Sequence, residues 1–168
     1  MLVEHVLPRD LKRILIFEDF NECVRRVFKT NMTMDGVELP WEVTPAGDLQ
    51  AAAAFAARSV SLERLSVAYM ISAKHFFASA AGNPSWTWPD LKSLALTSPL
   101  LRETPQNADR INCPLQAAGI TALRMPKLQT LTLWSAARGK AWAFIYQRGG
   151  GDGDGGNDGA SSITWRGT

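Results

Sequence analysis

Apolar residues recur along the chain in a fixed local pattern. A leucine, two further residues, an apolar residue, one more residue and a second apolar residue follow each other in four places. The four copies are Leu11–Ile16, Leu62–Val67, Leu91–Leu96 and Leu128–Leu133. Residues two apart point to the same side of a β-strand, so the last two apolar positions of each copy would face one interior. The pattern therefore predicts four similar strands that stack as neighbours.

The segments between these copies contain the spacing and composition of helices. We predict helices over residues 19–28, 48–58, 73–81 and 107–124. Asp48 and Ser72 are good N-cap residues for the second and third of them. Pro114 and Gly119 both weaken a helix interior, so we expect the fourth helix to be kinked or divided into two pieces.

Alternation of strands and helices predicts a mainly parallel sheet with right-handed crossovers and helices on one side. Because the leucine pattern recurs, we interpret residues 1–168 as one short, irregular α/β solenoid of the leucine-rich-repeat kind. Residues 31–47, which contain Pro40 and Pro45, are predicted to form a loop. Residues 141–147 and 162–166 alternate like strands, which predicts a C-terminal antiparallel hairpin with a flexible Gly/Asp-rich loop over residues 149–160.

Composition limits the class of protein without naming a partner. The chain has 168 residues, 46% of them hydrophobic, which suits one ordinary domain. Its 18 basic and 16 acidic residues give a net charge of +2, far from the field of a dedicated nucleic-acid or membrane-surface binder. The two cysteines, Cys23 and Cys113, form no disulfide framework and no zinc motif. With neither a signal peptide nor a membrane-length apolar run, we expect an intracellular protein, cytoplasmic or nuclear.

The sequence offers no convincing catalytic or metal site. The Gly/Asp-rich loop invites a calcium interpretation, but an EF-hand begun at Asp152 would need a glutamate where Ile163 stands. His5 and His75 have no evident nucleophile or carboxylate partner, and no nucleophile-elbow motif surrounds any serine. We interpret both cysteines as structural and predict a protein that is not an enzyme and needs no metal or cofactor.

The predicted solenoid would instead expose one face of its sheet. Residues between the core leucines would point away from the interior, on strands about 4.8 Å apart, and form a rigid platform for a protein partner. The predicted protein-binding face consists of Lys12, Arg13, Glu63, Arg64, Lys92, Gln129 and Thr132. The alternative for each of these residues is a sheet face that is only solvated.

A second function class is single-stranded nucleic-acid binding. Residues 124–148 contain five cations and no acid, and tryptophan and tyrosine residues interleave with the cations. These are Arg124, Lys127, Arg138, Lys140 and Arg148, with Trp134, Trp142 and Tyr146. Positive charge combined with stacking surfaces is how single strands are held. Ordinary solvated charges at helix and strand ends explain the same pattern, so protein binding is the preferred prediction.

Several segments resemble the C-terminal leucine-rich region of fungal F-box-type proteins, a domain family of unknown function. The segments are residues 86–98, 125–134 and 163–168, with a weaker match over residues 7–20. The resemblance implies a repeat domain that presents a substrate to a cullin-based ubiquitin ligase, whose adaptor an N-terminal F-box would bind. It implies no catalytic residues. Because the first repeat begins almost at Met1, we expect a substrate-recognition fragment without the F-box, which would not bind the adaptor by itself.

Overall fold

The computed structural model describes residues 8, 10–17, 46–102, 108–137, 139–149 and 160–167. The strands are β1 (Arg13–Phe17), β2 (Arg64–Ala68), β3 (Ser93–Thr97), β4 (Thr130–Ala137), β5 (Lys140–Gln147) and β6 (Ser162–Gly167). The helices are α1 (Ala46–Ser59), α2 (Ala73–Ala81) and α3 (Ala108–Ala122), with a short 3₁₀ helix at Pro99–Arg102.

The six strands form one mixed sheet in which spatial order follows chain order. Strands β1 to β4 are parallel, and β5 and β6 are added antiparallel. Ile14, Leu65, Leu94 and Leu131 lie directly opposite one another on successive strands. The α/β class, the mainly parallel sheet and the C-terminal antiparallel pair are therefore confirmed, and the four copies of the apolar pattern occupy equivalent positions.

The core lies on one side of the sheet, which we call the inner face. Leu65, Leu94 and Leu131 on that face are buried together with Phe55 of α1 and Phe76 of α2. Ala118 of α3 belongs to the same core. All three helices therefore pack on the inner face, as the alternation of elements predicted.

Helix α1 begins earlier than the sequence indicated. Ala46 and Gly47 are its first residues, so the predicted loop over residues 31–47 is wrong at its end, and Asp48 lies inside the helix rather than at its N-cap. A glycine in a helix costs only about 1 kcal/mol, which the alanine-rich remainder of α1 offsets by packing into the core. The rest of that loop, the helix predicted over residues 19–28 and most of the Gly/Asp-rich loop lie outside the described residues.

Two further predictions concern the cap of α2 and the continuity of α3. Helix α2 has the predicted bounds, with Ser72 at its N-cap, although the Ser72 side chain makes no capping hydrogen bond. Helix α3 continues through Pro114 and Gly119 as one helix, so it is not divided at either residue. Pro114 is buried within this helix, although proline supplies no backbone donor there.

The connection between β4 and β5 was not predicted. Strand β4 extends to Ala137 and turns back directly, with Gly139 in the left-handed region at φ +73°. Glycine adopts this conformation without steric cost, which allows a tight turn. The hairpin adds Trp142, Phe144 and Tyr146 to the inner face, where they partly cover the end of the core.

Candidate functional site

The side of the sheet opposite the helices is here called the outer face. Every second residue of each strand points its side chain to this face. On β1 to β4 it consists of Arg13, Leu15, Phe17, Arg64, Ser66, Ala68, Ser93, Ala95, Thr97, Thr130, Thr132 and Trp134. Large side chains lie on β1, whereas β2 and β3 contribute mainly small ones. The outer face is therefore a shallow surface with a floor of serine, alanine and threonine.

Only some of the predicted binding residues belong to this face. Arg13, Arg64 and Thr132 lie on it. The other four each directly precede a strand and form a row where the parallel strands begin: Lys12, Glu63, Lys92 and Gln129. In this row the backbone N–H groups of Glu63, Lys92 and Gln129 each donate to the carbonyl of the preceding member, with N–O distances of 2.7–2.8 Å. We call it the strand-start row.

Most of the charged side chains at the strand-start row and just before it are paired. Lys92 Nζ lies 3.2 Å from Glu63 Oε2, and Lys127 Nζ lies 2.7 Å from Asp90 Oδ1. The hydrogen bond from Lys127, supported by its positive charge, lowers the pKa of the Asp90 carboxyl below 3.8 and raises the pKa of Lys127 above 10.5. The Lys127–Asp90 pair is exposed and the Lys92–Glu63 pair is half-buried at the surface, so both contribute little to stability.

Replacing Lys127 by methionine is expected to raise the pKa of Asp90 toward 3.8, which carbon-detected NMR titration would measure. A carboxyl with a lowered folded-state pKa stabilises the fold above its unfolded pKa, and this contribution disappears as pH falls through the folded value. The variant should therefore differ least from the wild type in strong acid. Lys74→Met, on exposed α2 surface, serves as the control. An unchanged Asp90 titration in K127M would contradict the ion pair.

Three aromatic residues form a continuous row across the outer face where the parallel strands end. The ring centroids of Phe17 and Tyr69 are 5.8 Å apart with an interplanar angle of 86°, and those of Tyr69 and Trp134 are 5.3 Å apart at 79°. Such edge-to-face pairs are favourable and hold each ring in place. We call these three residues the aromatic row. Phe17 is 67% exposed even in this position.

Tyr69 reaches the middle of the row through an unusual backbone conformation. Its φ is +64°, which is uncommon for a residue with a bulky side chain and costs about 1–3 kcal/mol. The Tyr69 N–H donates to Thr97 Oγ1 at 2.9 Å, and the Thr97 hydroxyl donates to the Ile71 carbonyl at 3.2 Å. Thr97 is buried, so this pair of hydrogen bonds fixes the strained residue from a neighbouring strand.

The sequence did not indicate this row as a site. Neither Phe17 nor Tyr69 is among the residues that the sequence predicts for a site, and Trp134 is predicted only as part of the basic and aromatic region. The strand periodicity at residues 13–17 places Phe17 outward with Arg13, which is the one signal that could have identified it. No local pattern predicts the position of Tyr69, because its conformation depends on Thr97.

The residues proposed for nucleic-acid binding are separated in the structure. Trp134 lies on the outer face, whereas Trp142 and Tyr146 lie on the inner face. Arg124 donates to the carbonyls of Ala80, Asn83 and Trp86, at the C-terminal end of α2. Lys127 pairs with Asp90, Arg148 donates to the Pro126 carbonyl, and Arg138 lies outside the described residues. Lys140 is exposed.

The described part of the chain contains no cluster of histidine, cysteine, aspartate or glutamate that could hold a metal ion. Cys113 is an exposed free thiol, and His75 is half-buried on α2. His5 and Cys23 lie outside the described residues. Within the same ranges, no helix combines the length and the apolar character that crossing a bilayer requires.

The fold and the outer face together define a mixed α/β protein in which helices pack on one side of a six-stranded sheet, and aromatic residues lie on the other side. Comparison of the sequence with known families matches residues 6–168 to the Family of unknown function (DUF6546), and the chain belongs to this family. No curated protein and no solved structure gives a significant match.

Proposed function

We propose that the chain is a non-enzymatic protein-interaction module that binds its partner through the outer face. The observation that carries the proposal is the aromatic row, in which Tyr69 is held in a strained conformation between Phe17 and Trp134. Strain of this kind persists where the surrounding structure enforces it, and it concentrates at functional positions. Exposed, fixed aromatic residues are also the side chains that contribute most to protein interfaces.

A rigid floor supports the same proposal. Ser66, Ser93, Ala95 and Thr132 project from the central strands, whose backbone is already ordered by the parallel ladder. The Thr130 hydroxyl donates to Ser93 Oγ at 3.0 Å, which fixes two of the polar side chains as well. A partner that binds this surface loses little conformational entropy from the module itself.

Our proposal extends to the architecture and the biological role. The in-register copies of the leucine pattern, each followed or preceded by a helix, support a short leucine-rich-repeat solenoid. The resemblance to fungal F-box-type proteins supports a role in recognising substrates for a cullin-based ubiquitin ligase. In such a role the outer face would hold the substrate, and the inner face would carry the helices that stabilise the sheet.

Affinity purification followed by mass spectrometry tests the proposed surface. The wild type is compared with Phe17→Ala and with Leu123→Ala, two changes at apolar side chains that are 67% and 85% exposed. Because neither side chain is buried, both variants should keep the wild-type circular dichroism spectrum. Phe17→Ala should lose partners that Leu123→Ala retains. Identical partner sets for all three proteins would contradict binding through the outer face.

A further inference from the structure

Within the part of the chain that the structure describes, the outer face carries positive charge without a paired acid at the end opposite the aromatic row. Arg13 and Arg64 are directly opposite each other on β1 and β2, and both are exposed. Within the described ranges neither has an ion-pair partner, and the nearby acids Glu63 and Asp90 are paired with lysines. Like charges placed opposite each other on a sheet repel. A carboxylate between the two guanidinium groups would remove this cost and form bidentate hydrogen bonds.

The remaining described residues of the outer face add no negative charge. Strand β5 contributes Ala143, Ile145 and Gln147, and β6 contributes Thr164 and Arg166. Arg166 lies in the same cross-strand line as Trp134. The outer face described by the structure therefore has three arginines and no carboxylate, although the whole chain is close to neutral.

The distance between the cationic end and the aromatic row defines the spacing of a ligand. Arg13 and Phe17 are four residues apart on β1, which corresponds to about 13 Å at about 3.3 Å per residue. Arg64 and Ala68 have the same separation on β2, and Tyr69 follows directly. Between the two ends lie Leu15 on β1, which is 73% exposed, and the small side chains of Ser66 and Ala95 on β2 and β3, which leave room for a bound chain beside Leu15.

We infer that the outer face binds an extended acidic segment of a protein partner. A carboxylate of the segment lies between Arg13 and Arg64, and an apolar side chain four positions away packs on the aromatic row. In an extended chain, residues four positions apart point to the same side and span about 13 Å, so both groups reach the face together. This inference rests on the proposed function, whose partner chemistry it specifies.

The aromatic row favours a peptide over a nucleic acid as the occupant. Bases stack on open ring faces, whereas Phe17, Tyr69 and Trp134 are packed edge to face against one another. A single strand also needs cations along its backbone, but only small neutral side chains lie between Arg64 and Tyr69 on the central strands.

Phage selection with a random dodecapeptide library on the immobilised full chain tests the inference. Selected peptides are synthesised, and their Kd values are measured by fluorescence polarisation. We expect enrichment of sequences with an acidic and an apolar residue four positions apart. The double variant R13E/R64E should weaken their binding about tenfold or more. Lys140→Glu, a matched reversal at an exposed cation on β5, should change it by less than about twofold.

If the double variant is less stable, peptides of reversed charge keep the test valid. Peptides with lysine in place of the acidic residue should bind R13E/R64E better than they bind the wild type. Apolar peptides that depend on Phe17 but not on the arginines would overturn the acidic ligand and leave the proposed function intact. Peptides that bind wild type and Phe17→Ala equally would overturn both, and an empty selection would overturn the inference. Salt-sensitive binding of a thymine oligonucleotide that requires Arg13 and Arg64 would replace the peptide with nucleic acid.

Discussion

Replacement of Trp88 by alanine is expected to lower the free energy of unfolding by about 3–5 kcal/mol. The Trp88 side chain is completely buried, and its indole N–H donates to Ser59 Oγ at 2.7 Å. The guanidinium of Arg124 lies 5.2 Å from the ring centroid, and the Trp88 backbone N–H donates to the Arg124 carbonyl. The substitution therefore removes a large core side chain and a buried hydrogen bond. Urea denaturation followed by circular dichroism measures the loss.

Two matched substitutions separate the contributions at Trp88. Trp88→Phe keeps most of the buried ring, and Ser59 Oγ still donates to the Ala56 carbonyl, so the expected loss is about 1–2 kcal/mol. Trp165→Ala removes a tryptophan that is 48% exposed on β6 and should cost less than about 1 kcal/mol. A Trp88→Ala protein as stable as Trp165→Ala would contradict the central position of Trp88 in the core.

Replacement of Tyr69 by asparagine is expected to weaken partner binding by at least about tenfold while changing stability by less than about 1 kcal/mol. Asparagine adopts positive φ more readily than tyrosine, so the backbone strain decreases as the ring contacts to Phe17 and Trp134 are lost. The two effects on stability oppose each other, whereas the contact of the Tyr69 ring with the partner is lost completely. Isothermal titration with the partner or selected peptide measures the first quantity, and thermal unfolding the second.

Thr97→Val provides the complementary change. It keeps the shape of the side chain but removes the acceptor for the Tyr69 N–H and the donor to the Ile71 carbonyl. Because Thr97 is buried, this variant should lose about 1–3 kcal/mol of stability. If Tyr69→Asn binds its partner as tightly as the wild type, the aromatic row is not the contact surface.

The sequence predicts the sheet well because the information for it is local and periodic. Leu65 and Leu94 carry the same pattern as Leu131, and buried residues at a spacing of two can only occupy one face of a strand. Their alignment on adjacent strands then follows from the crossover connections, which place consecutive strands side by side, and from the shared interior. The same reasoning places Arg13 and Arg64 side by side, which is the part of the candidate site that sequence reasoning identified.

The remainder of the site depends on contacts between distant parts of the chain. Tyr69 adopts its conformation because Thr97, on the next strand, accepts its N–H, and no pattern around Tyr69 encodes that partner. Trp134 joins the row only because β4 is the neighbour of β3 and continues beyond the apolar pattern. Sequence reasoning places Lys12 and Lys92 on the same surface as Arg13, because spacing does not predict strand boundaries to within one residue.

Agreement between spatial order and chain order in the sheet has a consequence for how the molecule assembles. Each strand can be added to the edge left by the previous one, so no later segment has to insert between strands that are already paired. At every intermediate chain length, the outermost strand of the partial sheet can therefore pair with the strand that follows it. A nascent chain could therefore acquire its strands in the sequence in which the ribosome releases them, with β5 and β6 closing the growing end last.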